Sequence, residues 1–162
     1  MVTMLLGAMA MAAQVLLGSG SGCVAANTYD AAILTHTDSV TRTNDAAVTA
    51  RHLLWKAGST ATGVALNGAS TIPIGTIDNT ESSTGVEMAV LLLGRGPTKK
   101  VVASEAITVG EAVYTAASGK VQDEPAGAGT YYLVGYALTA AAADGDIIEI
   151  QDCVPVQFIV AA

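Results

Sequence analysis

Aromatic residues are scarce: one Trp, one Phe and five Tyr make up 4% of 162 residues, although 51% of the chain is hydrophobic. The core must therefore be assembled from small aliphatic side chains, each burying less apolar area than a Phe would. Stability as a monomer is expected to be modest, and self-association or a partner is expected to add to it. Charge is scarce as well, at 13% of residues, which excludes a disordered tail kept open by self-repulsion. Acids outnumber bases 14 to 7, for a net charge of −7. Nucleic acid calls for clustered Lys and Arg, so it is excluded as a partner. The one basic cluster, GRGPTKK, holds Arg95, Lys99 and Lys100 and reads as an exposed turn, or as a contact for an acidic protein surface.

Reactive groups are equally sparse. His36 and His52 stand apart in sequence from any carboxylate, Cys or second His at ligand spacing, so no metal site is expected. Two cysteines, Cys23 and Cys153, are too few for a disulfide framework; part-buried thiols are expected, with a Cys23–Cys153 bridge as the alternative. No Ser sits in a Gly-x-Ser-x-Gly elbow. GSGSG (18–22) lacks the strand, helix and Lys of a phosphate loop and reads as a flexible joint. Asp144 and Asp146 flank Gly145 as a hairpin turn does, with too few oxygen ligands for a calcium loop. No catalytic residue, cofactor site or metal site is expected, and an enzyme is not indicated. Trp55 and Tyr114 read as core anchors, with a sugar platform of Trp55, Tyr114 and Tyr136 as a minor alternative.

What the chain does contain is an apolar start and a repeat. The first 27 residues are apolar but carry no basic residue before Arg42, so the export signal's charged leader is missing. Gly7, Gln14 and Gly18 interrupt the run, which is too weak to span a bilayer, and no membrane partner is expected. Residues 1–46 therefore read as an apolar, extended arm with one helical turn at 30–34. Leu5, Leu6, Met9, Val15, Leu16 and Tyr29 are its candidate contact residues, alongside Arg95, Lys99 and Lys100.

From Ala47 onward, short runs of Val, Ile, Thr and Tyr alternate with Gly, Asn, Asp and Ser, the pattern of strands and turns. AVTARHLLWKAGST (47–60) and AITVGEAVYTAASGK (106–120) match at a separation of 59, pairing Trp55 with Tyr114; Gly75 and Gly135 match at 60. The spacing predicts a duplicated β domain over 47–150 sharing one core: copy one at 47–90, a linker hairpin at 91–105, copy two at 106–150, and a C-terminal strand or tail at 151–162. Gly135, in the middle of a strand, marks a bulge or a close backbone approach, and alternation places Tyr132, Val134, Tyr136 and Leu138 on one face. The fold class is mainly β, a compact barrel or sandwich of two similar units with an extended N-terminal arm.

The segments AITVGEAVY (106–114), GKV (119–121), VGYAL (134–138) and GDIIEI (145–150) resemble those of small phage capsid cement, or decoration, proteins. The first copy fits more loosely, with Arg51-His52 in place of Gly110-Glu111, and residues 1–46 depart from the pattern. The resemblance implies a non-enzymatic virion protein on the outer surface of a phage head. It would bridge subunits of the major capsid protein as a homo-oligomer, a trimer matching local threefold positions. The alternative is a secreted or lipid-anchored bacterial surface β-domain using Cys23.

Overall fold

The computed structural model describes residues 38–162 apart from Pro97. Ten strands follow in chain order: β1 (Ser39–Asn44), β2 (Leu54–Ala57), β3 (Gly63–Leu66), β4 (Gly75–Thr76), β5 (Glu87–Leu92), β6 (Lys99–Val102), β7 (Ala112–Thr115), β8 (Val121–Gln122), β9 (Gly129–Ala137) and β10 (Ile147–Val160), with a 3-10 turn at Ala117–Gly119. The first five close a barrel in the order β1-β3-β2-β4-β5, and the last five form a sheet in the order β6-β10-β9-β7-β8. The protein is mainly β, as its composition of β-branched residues and turn formers requires.

The two halves repeat each other strand for strand and in register. A shift of 59 on the first strand and 60 on its partner carries Thr43 opposite Glu87 onto Val102 opposite Ile147. Gly75 opposite Leu92 becomes Gly135 opposite Asp152, and the isolated bridge Val48–Glu81 becomes Ile107–Ala141. Even closure has its counterpart. Asn44 pairs in parallel with Val64 to shut the barrel, and Ala103 forms a single parallel bridge to Val121 in the second half. The turns before the last strands carry the left-handed glycines Gly85 (φ 76°) and Gly145 (φ 92°).

This register corrects several sequence expectations. Trp55 lies opposite Gly75, and Val113 lies opposite Gly135, so Val113 and not Tyr114 stands where Trp55 stands. The slip of one residue follows the turns: the positive φ falls on His52 in one half and on Gly110 in the other, 58 apart. Ser39–Asn44, assigned by sequence to the arm, is β1, because its Thr-rich strand pairs with β5 along five residues. Lys99–Val102, assigned to a linker hairpin, is β6 and pairs with β10. Of the C-terminal strand or tail expected at 151–162, the strand is what forms, as a continuation of β10 to Val160.

Two cores form, where one was expected. Trp55, Val48, Val64, Ile77, Met88 and Val90 fill the barrel. Ile107, Val113, Val121, Val134, Ile148 and Ile150 belong to the second, which also receives Leu54 and Leu93 from the barrel half. Adjacent residues on β2 thus serve different cores, because alternation turns Trp55 inward and Leu54 outward. Backbone bonds tighten the seam: Gly119 N donates to Asn67 O at 2.8 Å, and the Thr115 hydroxyl donates to Ala69 O. Gly119 (φ 71°) has no room for a side chain, since a Cβ would sit 2.8 Å from Leu54 O and 3.2 Å from Leu53 Cβ.

Gly135 is both bulge and close approach. A Cβ there would collide with the Gln151 carbonyl, and the β7 pairing shifts between Gly135 and Leu133. The shift breaks the expected face: Val134 is buried whereas Tyr136 and Leu138 are exposed. On the other side, β10 bulges between Asp152 and Val156, where Pro155 has no N–H to give. Beyond Ile150, β10 pairs with β9 alone among the described strands, and Val154, Val156 and Ile159 are exposed along it.

Candidate interaction surface

The turn from Leu93 to β6 carries the basic cluster. Gly94 (φ 70°) and Gly96 (φ 86°) adopt conformations that side chains resist, and Gly94 N donates to Asp152 Oδ2 at 2.6 Å, pinning the turn to β10. Arg95 and Lys100 point to solvent. Lys99 does not: it is 7% exposed, and its Nζ donates to the Arg95 carbonyl at 2.6 Å. Its charge is used to cap the turn and is removed from the candidate contacts. Leu5, Leu6, Met9, Val15, Leu16, Tyr29, His36 and Cys23 lie outside the described residues.

Along the seam between barrel and second sheet, folding gathers groups distant in sequence. Arg51 and Lys100 flank His52, whose Nε2 stands 3.3 Å from Asp78 Oδ1. The sequence showed no carboxylate near His52 because Asp78 arrives across the sheet. Burial lowers the His52 pKa below its ordinary value; Lys100 and Arg51 act in the same direction, and Asp78 opposes them. A polar cleft of about 420 Å³ opens here, reaching Thr98 and Glu149. A second, more apolar cleft of about 730 Å³ lies between Leu53, Leu66, Val102 and Ile147. Both are open surface depressions.

No three His, Cys, Asp or Glu side chains converge for a metal among the described residues. No described helix is long and apolar enough to cross a membrane. The Cys153 thiol is half-buried 3.8 Å from Leu133 O, and burial, then Asp152, raises its pKa. Trp55 is fully buried and Tyr114 packs against Phe158 with ring centroids 4.8 Å apart, so neither can form a sugar platform. Tyr136, the third residue of that platform, is exposed while the other two are buried. The sequence reading missed two apolar surfaces: Tyr136 with Leu138, and Val154, Val156 and Ile159 on β10. The V-P-V alternation around Pro155 was the available signal for the second.

The family model of phage cement proteins matches residues 33–151, which covers both halves from before β1 into β10. The solved head fiber gp8.5 N base of bacteriophage phi29 aligns with a TM-score of 0.54 at 20% identity, over 70% of this chain and 92% of that one; the two share a fold. No curated protein matches the chain.

Proposed function

The chain belongs to the phage cement protein family, and from that premise we propose that it binds the outer surface of a mature phage head and bridges subunits of the major capsid protein. The family match over 33–151 carries this reading. The physical features are consistent with it. The described residues present open seams and exposed apolar strands. A protein that binds the expanded shell and not the free subunit stabilises the shell by linkage. Many copies, each holding more than one subunit, reach high avidity through weak single contacts. Arg95 and Lys100 on the β5–β6 turn, with the arm residues Leu5, Leu6, Met9, Val15, Leu16 and Tyr29, are the proposed capsid contacts.

The test is to titrate purified protein onto undecorated expanded heads and, separately, onto unassembled capsid subunits. Saturable binding to heads at a fixed ratio, with a higher temperature of head disruption, is the expected result. Equal binding to free subunits, or none to heads, defeats the proposal. Arg95→Glu combined with Lys100→Glu should weaken binding without changing the melting temperature of the free protein.

A further inference from the structure

Positive charge is rare in this chain and unevenly placed. Lys and Arg number 7 against 14 acids, yet Arg51, Lys99 and Lys100 all line the polar cleft between barrel and second sheet. Two carboxylates share that cleft, and both are engaged. Asp78 stands beside His52, and Glu149 accepts from the Thr98 hydroxyl. Lys99 is tied to the Arg95 carbonyl. Arg51 and Lys100 remain: both are exposed, and among the described residues neither lies within ion-pair distance of a carboxylate. Two unmatched cations side by side, in a chain of net charge −7, select locally for negative charge.

The polar cleft does not end at Arg51. The same residue lines the larger apolar cleft, so the two form one groove. One wall is the 49–53 segment of the barrel. The other is one face of the second sheet, where register fixes the order of side chains. Val102 lies opposite Ile147, and two residues along Lys100 lies opposite Glu149. An apolar step and a cationic step thus follow each other at the spacing of alternate strand residues, about 6.6 Å. Ile147 is 54% exposed in this groove. Thr49, Thr80 and Ser118 bring hydroxyls to its apolar part. Hydroxyls suit a peptide backbone, which carries a donor and an acceptor at nearly every residue, and offer nothing to a lipid chain.

We propose that this groove receives an extended segment of the shell protein of the phage head, with an apolar side chain on Val102 and Ile147 and a carboxylate, two residues along, between Arg51 and Lys100. Naming the shell as the source rests on the function proposed above; the chemistry of the segment rests on the groove. The two steps reinforce each other, because an apolar side chain seated on Ile147 displaces water beside the ion pair and strengthens it. A segment with a lysine in place of the carboxylate meets like charge and is refused.

Amide chemical-shift titration of the isotope-labelled full chain tests the groove, with the peptide Ac-TVTDT-NH2 as probe and Ac-TVTKT-NH2 and decanoate as controls. Saturable shifts at Arg51, Lys100 and Ile147 are expected with the first peptide alone. Arg51→Glu should weaken that binding about tenfold, and Arg51→Lys should weaken it less. On expanded heads, Arg51→Glu and Ile147→Glu should each raise the dissociation constant about tenfold or more, with the melting temperature of the free protein unchanged. An equal response to both peptides, none to either, or a response to decanoate in their place overturns the groove and leaves head binding standing. Peptide shifts in a protein whose two variants bind heads as tightly as the wild type, or whose wild type binds no heads, overturn the shell as the source.

Discussion

Truncating Leu54 to Ala measures the seam between the halves directly. Leu54 belongs to β2 of the barrel, yet its fully buried side chain lies in the second core. The substitution removes three carbons, about 2.4 kcal/mol at roughly 0.8 kcal/mol each. The cavity left between two rigid sheets adds to this, giving about 3–4 kcal/mol in total. Set against a total stability of about 5–15 kcal/mol, that is a large fraction. The aromatic residues supply separate reporters for each half. Trp55, the one tryptophan, sits in the barrel core, and Tyr114, Tyr131, Tyr132 and Tyr136 all lie in the second half. Urea unfolding followed by Trp fluorescence and by Tyr near-ultraviolet signal should shift to lower denaturant with both probes. Leu138→Ala, on an exposed position, is the control and should cost less than about 1 kcal/mol. A loss for Leu54→Ala as small as that of the control, or one seen by Trp55 alone, would falsify the bridging role.

Three further outcomes follow from the geometry. Gly135→Ala drives a methyl into the Gln151 carbonyl and should cost about 2 kcal/mol or more, whereas Gly110→Ala (φ 89°, nothing within 4 Å) should cost only about 1 kcal/mol; chemical denaturation ranks the two, and the reverse order contradicts the bulge geometry. His52 has a folded pKa below its ordinary 6.5, so on acidification the unfolded chain takes up the proton first. Its contribution is therefore fully present above 6.5 and is lost as pH falls from there toward the folded value. Comparing melting temperatures at about pH 7.5 and about pH 5.5, His52→Asn, which tolerates positive φ, should lose less than the wild type on acidification; an equal loss refutes the assignment. In a Cys23→Ser background, Cys153 should react with a thiol reagent more slowly at neutral pH than an unfolded cysteine, with urea restoring the ordinary rate; a fast native reaction contradicts its burial.

The doubling could be read from sequence because turn chemistry is local. Gly85 and Gly145 mark the same left-handed turn 60 residues apart, and Gly75 and Gly135 mark the same close approach of a neighbouring strand's carbonyl. Pairing is not local, and there the reading slipped. β1 holds Thr, Arg and Asn with a single Val, and becomes a strand only because β5 lies beside it. Matching Trp55 to Tyr114 followed ring size, while the register followed the turn at His52 and Gly110. Lys99 looked like its neighbours Arg95 and Lys100, and nothing in GRGPTKK says which cation folds back on the turn. The exposure of Tyr136 was hidden for a similar reason, since alternation holds until Gly135 and then fails.

The far edge of β10 has a consequence for behaviour in crowded solution. A long strand bearing Val154, Val156 and Ile159, with unclaimed backbone groups among the described strands, is a template on which like strands can stack without limit. Pro155 stands in the middle of it, offering no hydrogen to an incoming strand and bent out of line by the bulge. Replacing that one ring with an ordinary residue is expected to make this edge a better template for fibre growth.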